Sequence, residues 1–116
     1  MADVTVFGIK ACDTMKKARS WLEENGIAYD FHDYKAQGIT ADRVAVWIEA
    51  AGWEKVLNRN GTTFRKLTEA DRVNLNAEKA LALMVANPSM IKRPIIESRG
   101  PLLLGFNPED YRRAFG

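Results

Sequence analysis

The sequence predicts an α/β fold with a mixed sheet, and three observations predict it. A β-branched strand, an amphipathic helix and a second, aromatic strand follow one another at the start of the chain. A block of helical patterns comes next, with no strand among them. Two short apolar runs and a well-capped helix close the chain. Strand, helix and strand in that order make a βαβ unit whose strands lie parallel. The two late runs are close enough in sequence for an antiparallel hairpin.

The first strand spans Asp3 to Phe7, rich in β-branched and aromatic residues, and Gly8 breaks it. Met15, Ala18 and Leu22 recur at helical spacing, which predicts a helix from Asp13 to Glu24, stopped at Asn25-Gly26. Ile27 to Tyr34 carries Tyr29, Phe31 and Tyr34 among polar residues and reads as the second strand, with Ala28 to Asp33 as its paired part. Thr40 is an N-cap, and Asp42 places negative charge in the first turn of the helix that follows. Val44, Trp47, Ile48 and Ala51 mark one face of that helix, and Gly52 ends it. Trp53 to Leu57 adds a helical turn, and Arg59 to Thr63 is loop. Leu67 to Leu75 is one short helix. Asn76 caps another with Ala80, Leu81, Met84 and Val85 on its apolar face, ended by Asn87-Pro88. This makes three or four helical segments. Pro94 to Glu97 and Leu102 to Leu104 are the hairpin strands, with Ser98 to Pro101 as the turn. Asn107-Pro108-Glu109-Asp110 starts the last helix, with Tyr111 and Phe115 on one face. Trp21, Trp47 and Trp53 read as packing residues.

Strand, helix, strand, then a helical block, then strand, strand, helix is the order of a thioredoxin-like (glutaredoxin-like) domain with an inserted helical subdomain at about residues 40–87. Residues 1–116 are read as one such domain. The 47% hydrophobic content is enough for a sizeable core. A net charge of +2, from 17 basic and 15 acidic residues, is too balanced to point to nucleic acid or an anionic membrane. No apolar run approaches the roughly 20 residues that span a bilayer, and no signal-like region precedes the first strand. A cytoplasmic protein is expected, a monomer without nucleic-acid or membrane partners. The single cysteine excludes an internal disulfide, and with His32 as the sole histidine it excludes a conventional zinc site.

Cys12 stands where a loop gives way to a helix. Unpaired N–H groups and partial positive charge at a helix start favour the thiolate, which is the nucleophile. Lys10, Lys16 and Lys17 add positive charge, and Asp13 subtracts some. A free cysteine is commonly an inert packing group, but the neighbours here, Lys10, Ala11, Asp13 and Thr14, are no hydrophobic run. The sequence therefore makes Cys12 the candidate reactive thiol. Thr14 either donates its hydroxyl to the sulfur or merely helps start the helix. His32, near a strand end, reads as a surface or structural residue rather than a base.

Five segments carry a resemblance over nearly the whole chain. They are Gly8-Ile-Lys-Ala-Cys12-Asp-Thr-Met-Lys-Lys-Ala, His32-Asp33-Tyr34, Gly61-Thr62-Thr63-Phe64-Arg65-Lys66-Leu67, Ile91-Lys92-Arg93-Pro94 and Leu104-Gly105-Phe106. In order and spacing they resemble the ArsC and Spx family, nearest its YffB-like branch of proposed glutathione-dependent thiol reductases. The resemblance implies a thioredoxin-like fold with a helical insert and Cys12 as nucleophile. It also implies arginines around an oxyanion: Arg59 or Arg65 for the first and Arg93 for the second. The third falls near Gly105, where this chain has none, and Gly8 stands where the arsenate enzymes carry a histidine. Both departures weigh against arsenate, which is held by several positive donors at once.

The resemblance further implies that Pro94 is cis and faces the cysteine; the alternative is an ordinary trans proline at an edge-strand start. The expected activity is that of a monothiol oxidoreductase with no bound cofactor. Cys12 forms a mixed disulfide that glutathione resolves, since no second thiol is present. Lys10 and Arg93 lead as charged partners, with Arg59 or Arg65 next; for each arginine the alternative is a solvated surface charge. Glutaredoxin or a protein disulfide are further expected partners. Arsenate reduction proper, or a non-catalytic Spx-like adaptor or redox regulator, are the competing readings.

Overall fold

The computed structural model describes residues 3–10, 12–59 and 61–115. The chain divides into two compact units, one formed by Met1–Gln37 with Arg93–Gly116 and the other by Gly38–Lys92.

The first unit contains a four-stranded sheet in the order β2-β1-β3-β4, with β1 at Thr5–Gly8, β2 at Asp30–Asp33, β3 at Ile95–Glu97 and β4 at Leu103–Leu104. β1 pairs parallel with β2, Gly8 opposite Asp33, and antiparallel with β3, Phe7 opposite Ile95. β3 pairs antiparallel with β4. The sheet is thus mixed, as the βαβ start and the late hairpin require. Helix α1, Asp13–Glu24, buries Met15, Ala18 and Leu22. These join Val4, Val6, Ile96, Leu103 and Tyr111 in one core cluster. Each of the Val, Ile, Leu and Met side chains here contributes roughly 1.5–3 kcal/mol when fully removed from water.

Several expected strand boundaries differ here by one or a few residues. Gly8 does not end the first strand but completes it, opposite Asp33. A Cβ on Gly8 would lie 2.3 Å from Met15 Sδ and 2.5 Å from its Cε, so only glycine lets α1 pack this close to β1. β2 is shorter than expected, and Tyr34 leaves it for a single helical turn, α2, Tyr34–Gln37. Asp33 forces that change. Its Oδ1 accepts the N–H groups of Lys35 and Ala36 at 3.0 and 3.2 Å, capping the turn.

The second unit is helical, with α3 at Ala41–Ala51, α4 at Trp53–Val56, α5 at Thr62–Arg65, α6 at Glu69–Arg72 and α7 at Ala77–Ala86. α3 packs on α7 and α4. Thr40 and Asn76 accept the Arg43 and Lys79 N–H groups as the expected N-caps. Among the described residues the expected three or four segments become five, because Thr62 and Thr63 begin a helical turn rather than ending a loop. The helix expected from Leu67 to Leu75 contracts to α6, whose carboxyl end is held by Lys79. Its ammonium donates to the Ala70 and Val73 carbonyls at 2.7 and 2.6 Å. Trp47 is fully buried, and Trp21 and Trp53 are half-buried.

The terminal helix α8, Pro108–Phe115, returns to the first unit. Asn107 Oδ1 accepts the Glu109 N–H at 3.0 Å. Tyr111 meets Trp21 and Phe106 edge-on, with ring centroids 5.4 and 5.3 Å apart. Among the described residues, no helix is long and apolar enough to cross a membrane.

Candidate active site

Both neighbours of β1 deliver their chemistry to one end of it. β2 runs parallel, so its carboxyl end, Asp33 and then Tyr34, lies beside Gly8. β3 runs antiparallel, so its amino end, reached through Arg93 and Pro94, lies beside Phe7. The chain leaving β1 at that end leads to Cys12, the N-cap residue of α1, with φ −144° and ψ 131°. The sequence thus places a thiol, a guanidinium and a phenol at one end of the sheet.

Cys12 is half-buried. Partial burial acts against its thiolate, yet the net effect is a thiol pKa below the ordinary value. The backbone N–H groups of Met15 and Thr14 outweigh desolvation together with Arg93, whose guanidinium both attracts the sulfur's charge and donates a hydrogen bond to it. The sulfur closes no regular cap hydrogen bond; the amides favour the thiolate through their orientation at the open helix start. Thr14 acts on the sulfur through its backbone amide, alongside the stronger effect of the Met15 amide.

Arg93 has a second partner. Its guanidinium hydrogen-bonds the hydroxyl of Tyr34, a fully buried side chain. Burial pushes the Tyr34 phenol well above its usual range, and the nearby Cys12 and Asp33 charges raise it further, against the lowering effect of Arg93. Asp33 Oδ2 accepts the Lys10 N–H at 3.4 Å, joining the segment before Cys12 to the end of β2. The Lys10 side chain is exposed. Pro94 is buried and preceded by a cis peptide bond. Its carbonyl accepts the Gly105 N–H at 2.8 Å.

The structure therefore brings Cys12, Thr14, Arg93 and Pro94 to one region of the first unit, with Lys10 in the segment leading to Cys12. Arg59 and Arg65 belong to the helical unit. Arg59 lies over the Trp53 ring, 5.8 Å from its centroid, and Arg65 is the exposed last residue of α5. His32 stands in β2 against Phe7, ring centroids 5.2 Å apart, in a packing role. Tyr34 is the site residue that the sequence reading passed over as strand. Its place in the His32-Asp33-Tyr34 segment was the available signal. Among the described residues, no three His, Cys, Asp or Glu side chains are grouped so as to hold a metal ion.

Residues 7–114 match the family model described as ArsC family. The chain is 40% identical over 112 residues to an uncharacterised protein of Haemophilus influenzae, covering 97% of this chain and 98% of that protein. It is 29% identical over 112 residues to the global transcriptional regulator Spx of Listeria innocua, covering 95% and 85%. Among solved structures it is similar to a YffB protein, with a TM-score of 0.95 and 56% identity over 97% of this chain and 99% of that one. It is also similar to an arsenate reductase (ArsC) related protein of Brucella melitensis, with a TM-score of 0.77 and 53% identity over 99% and 95%.

Proposed function

Because this chain belongs to the ArsC family, we propose that it is a monothiol thiol–disulfide reductase in which Cys12 is the nucleophile and glutathione the co-substrate. The observation that carries this reading is the place of Cys12 as the N-cap residue of α1, where the Met15 and Thr14 amides and Arg93 favour the thiolate against the opposing effect of burial.

The chemistry needs no bound cofactor. Cys12 thiolate attacks the glutathionyl sulfur of a mixed disulfide. A new S–S bond forms to Cys12, the old one breaks, and the other thiolate leaves and takes a proton from solvent. Glutathione thiolate then attacks the glutathionyl sulfur on Cys12, yielding oxidised glutathione and regenerating the Cys12 thiolate. The substrate disulfide gains two electrons, and two glutathione units end as one disulfide. Cys12 is the chain's only cysteine, so the second thiol must come from outside. Arg93 and the helix start favour the leaving thiolate of the second step, which is Cys12 itself. Lys10 and Arg93 supply charge for the anionic tripeptide, and Thr14 and Pro94 line its approach. Glutaredoxin or a protein disulfide can take the place of a small partner.

Arsenate reduction is disfavoured by two features of the fold. A histidine side chain at position 8 would run into Met15. Gly105, nearest the third arginine's place, has φ 75°, a conformation that side chains rarely adopt. The Spx similarity favours a second reading, a protein-binding adaptor in which Cys12 is at most a sensor.

Mass spectrometry after exposure to oxidised glutathione tests the proposal. One adduct on Cys12, removed by reduced glutathione, together with glutathione-dependent turnover of a mixed disulfide, is the expected result. Absence of both, with a protein partner co-purifying stoichiometrically, favours the adaptor. Robust arsenate turnover with glutathione and glutaredoxin supplied would make the protein an arsenate reductase despite Gly8 and Gly105.

A further inference from the structure

We propose that Tyr34 is a positioning residue of this site: its buried hydroxyl accepts an N–H of the Arg93 guanidinium and thereby aims the rest of that fork at Cys12 Sγ. The inference rests on the reading of Cys12 as a working thiolate and adds a residue through which that state is set.

Three observations carry it. Topology brings the two residues together: Tyr34 follows the residue opposite Gly8 on one side of β1, and Arg93 stands two residues before the one opposite Phe7 on the other. Tyr34 is fully buried, yet no buried side-chain oxygen or nitrogen among the described residues lacks a hydrogen-bond partner. A phenol in such a place needs a polar partner, and Arg93 supplies one. Finally, Arg93 also donates to Cys12, so one planar guanidinium serves a fixed neutral acceptor and a charged one. Arginine suits this because its donors form a rigid fork, so pinning one branch orients the others.

The anchor is itself held in place. Tyr34 begins α2, and that turn is capped by Asp33, whose other oxygen accepts the Lys10 N–H ahead of Cys12. The charged groups acting on Tyr34 are Arg93, Cys12 and Asp33. Asp33 is the acidic one, and its oxygens are already committed to backbone N–H groups. Arg93 is therefore the cation that Tyr34 can steer, and its other end reaches the sulfur. A tyrosine kept only for packing would serve equally well as phenylalanine.

The test is the pH dependence of Cys12 alkylation by iodoacetamide in the full chain, which requires no substrate. In Tyr34→Phe the midpoint should rise by roughly half a pH unit, about a threefold loss of thiolate at pH values below it. In an Arg93→Ala background the same change should move the midpoint no further, since the guanidinium it steers is gone. Arg93→Lys keeps the charge but not the fork, and its midpoint should rise to a similar degree. The proposal is overturned if Tyr34→Phe melts like the wild type and keeps its midpoint, or if its shift persists without Arg93. Should Tyr34→Phe fail to fold, an unchanged midpoint in Arg93→Lys overturns it instead. An ordinary midpoint in the wild type would strike the thiolate reading itself, and the inference with it. A low wild-type midpoint that Arg93→Ala raises and Tyr34→Phe does not strikes the inference alone.

Discussion

At the scale of single residues, the balance at Cys12 has a consequence for stability. Desolvation raises its pKa, but the Met15 and Thr14 amides and Arg93 more than offset this, so the folded thiol ionises at lower pH than the unfolded one. Between the two values the unfolded chain binds more protons, and stability rises with pH. The contribution is fully present above the unfolded thiol's pKa and is lost as pH falls through the folded one. Urea unfolding of wild type against Cys12→Ser from about pH 6 to 9.5, spanning the ordinary thiol value, should show the wild type gaining on the variant as pH rises. A gap that shrinks with rising pH would contradict the lowered pKa. Arg93→Ala removes both an opposite charge and a hydrogen bond to the thiolate. The alkylation midpoint should then rise by about one pH unit, a tenfold loss of thiolate below it. An unmoved midpoint would leave the helix start alone responsible.

At the scale of elements, the site depends on how closely α1 meets β1 and how α8 is fastened. Gly8→Ala places a Cβ 2.3 Å from Met15 Sδ, and Met15 is fully buried. Its thioether can bend, but only into occupied space, so a loss of about 1–3 kcal/mol in denaturant unfolding is expected; an unchanged midpoint would mean that Met15 repacks freely. Tyr111 donates its hydroxyl to the Gly105 carbonyl at 2.8 Å in a buried setting, and burial holds its phenol protonated well beyond the usual range. Tyr111→Phe should cost about 1–2 kcal/mol, read in the same assay. The elements most legible in the sequence were those with a full period and a cap. α1 occupies its expected span because Met15, Ala18 and Leu22 mark its face, and α3 and α7 follow Thr40 and Asn76. Short elements escaped. α2 and α5 are four residues each, too brief for periodicity to show, and Gly8 looked like a breaker because its contact with Met15 lies seven residues away.

At the scale of the whole molecule, what was readable of the site follows the same division. Cys12 was legible because a thiol at a strand-to-helix junction is a local pattern. Arg93 needed the order of segments along the chain. Tyr34 needed the folded sheet, since only the pairing of β1 with both β2 and β3 brings residues 34 and 93 to one end. One property, however, needs no fold. A chain with a single cysteine cannot resolve its own mixed disulfide, so under the proposed function every cycle pauses at a covalent adduct until an external thiol arrives. The first product must leave before the second substrate reacts, which is the condition for ping-pong kinetics. With a small glutathione mixed disulfide varied at several fixed glutathione concentrations, double-reciprocal plots should give parallel lines, and Cys12→Ser should show no turnover above the uncatalysed rate. Converging lines would mean that both substrates occupy the protein together. Residual turnover in Cys12→Ser would mean that the sulfur is not the carrier, whatever its ionisation.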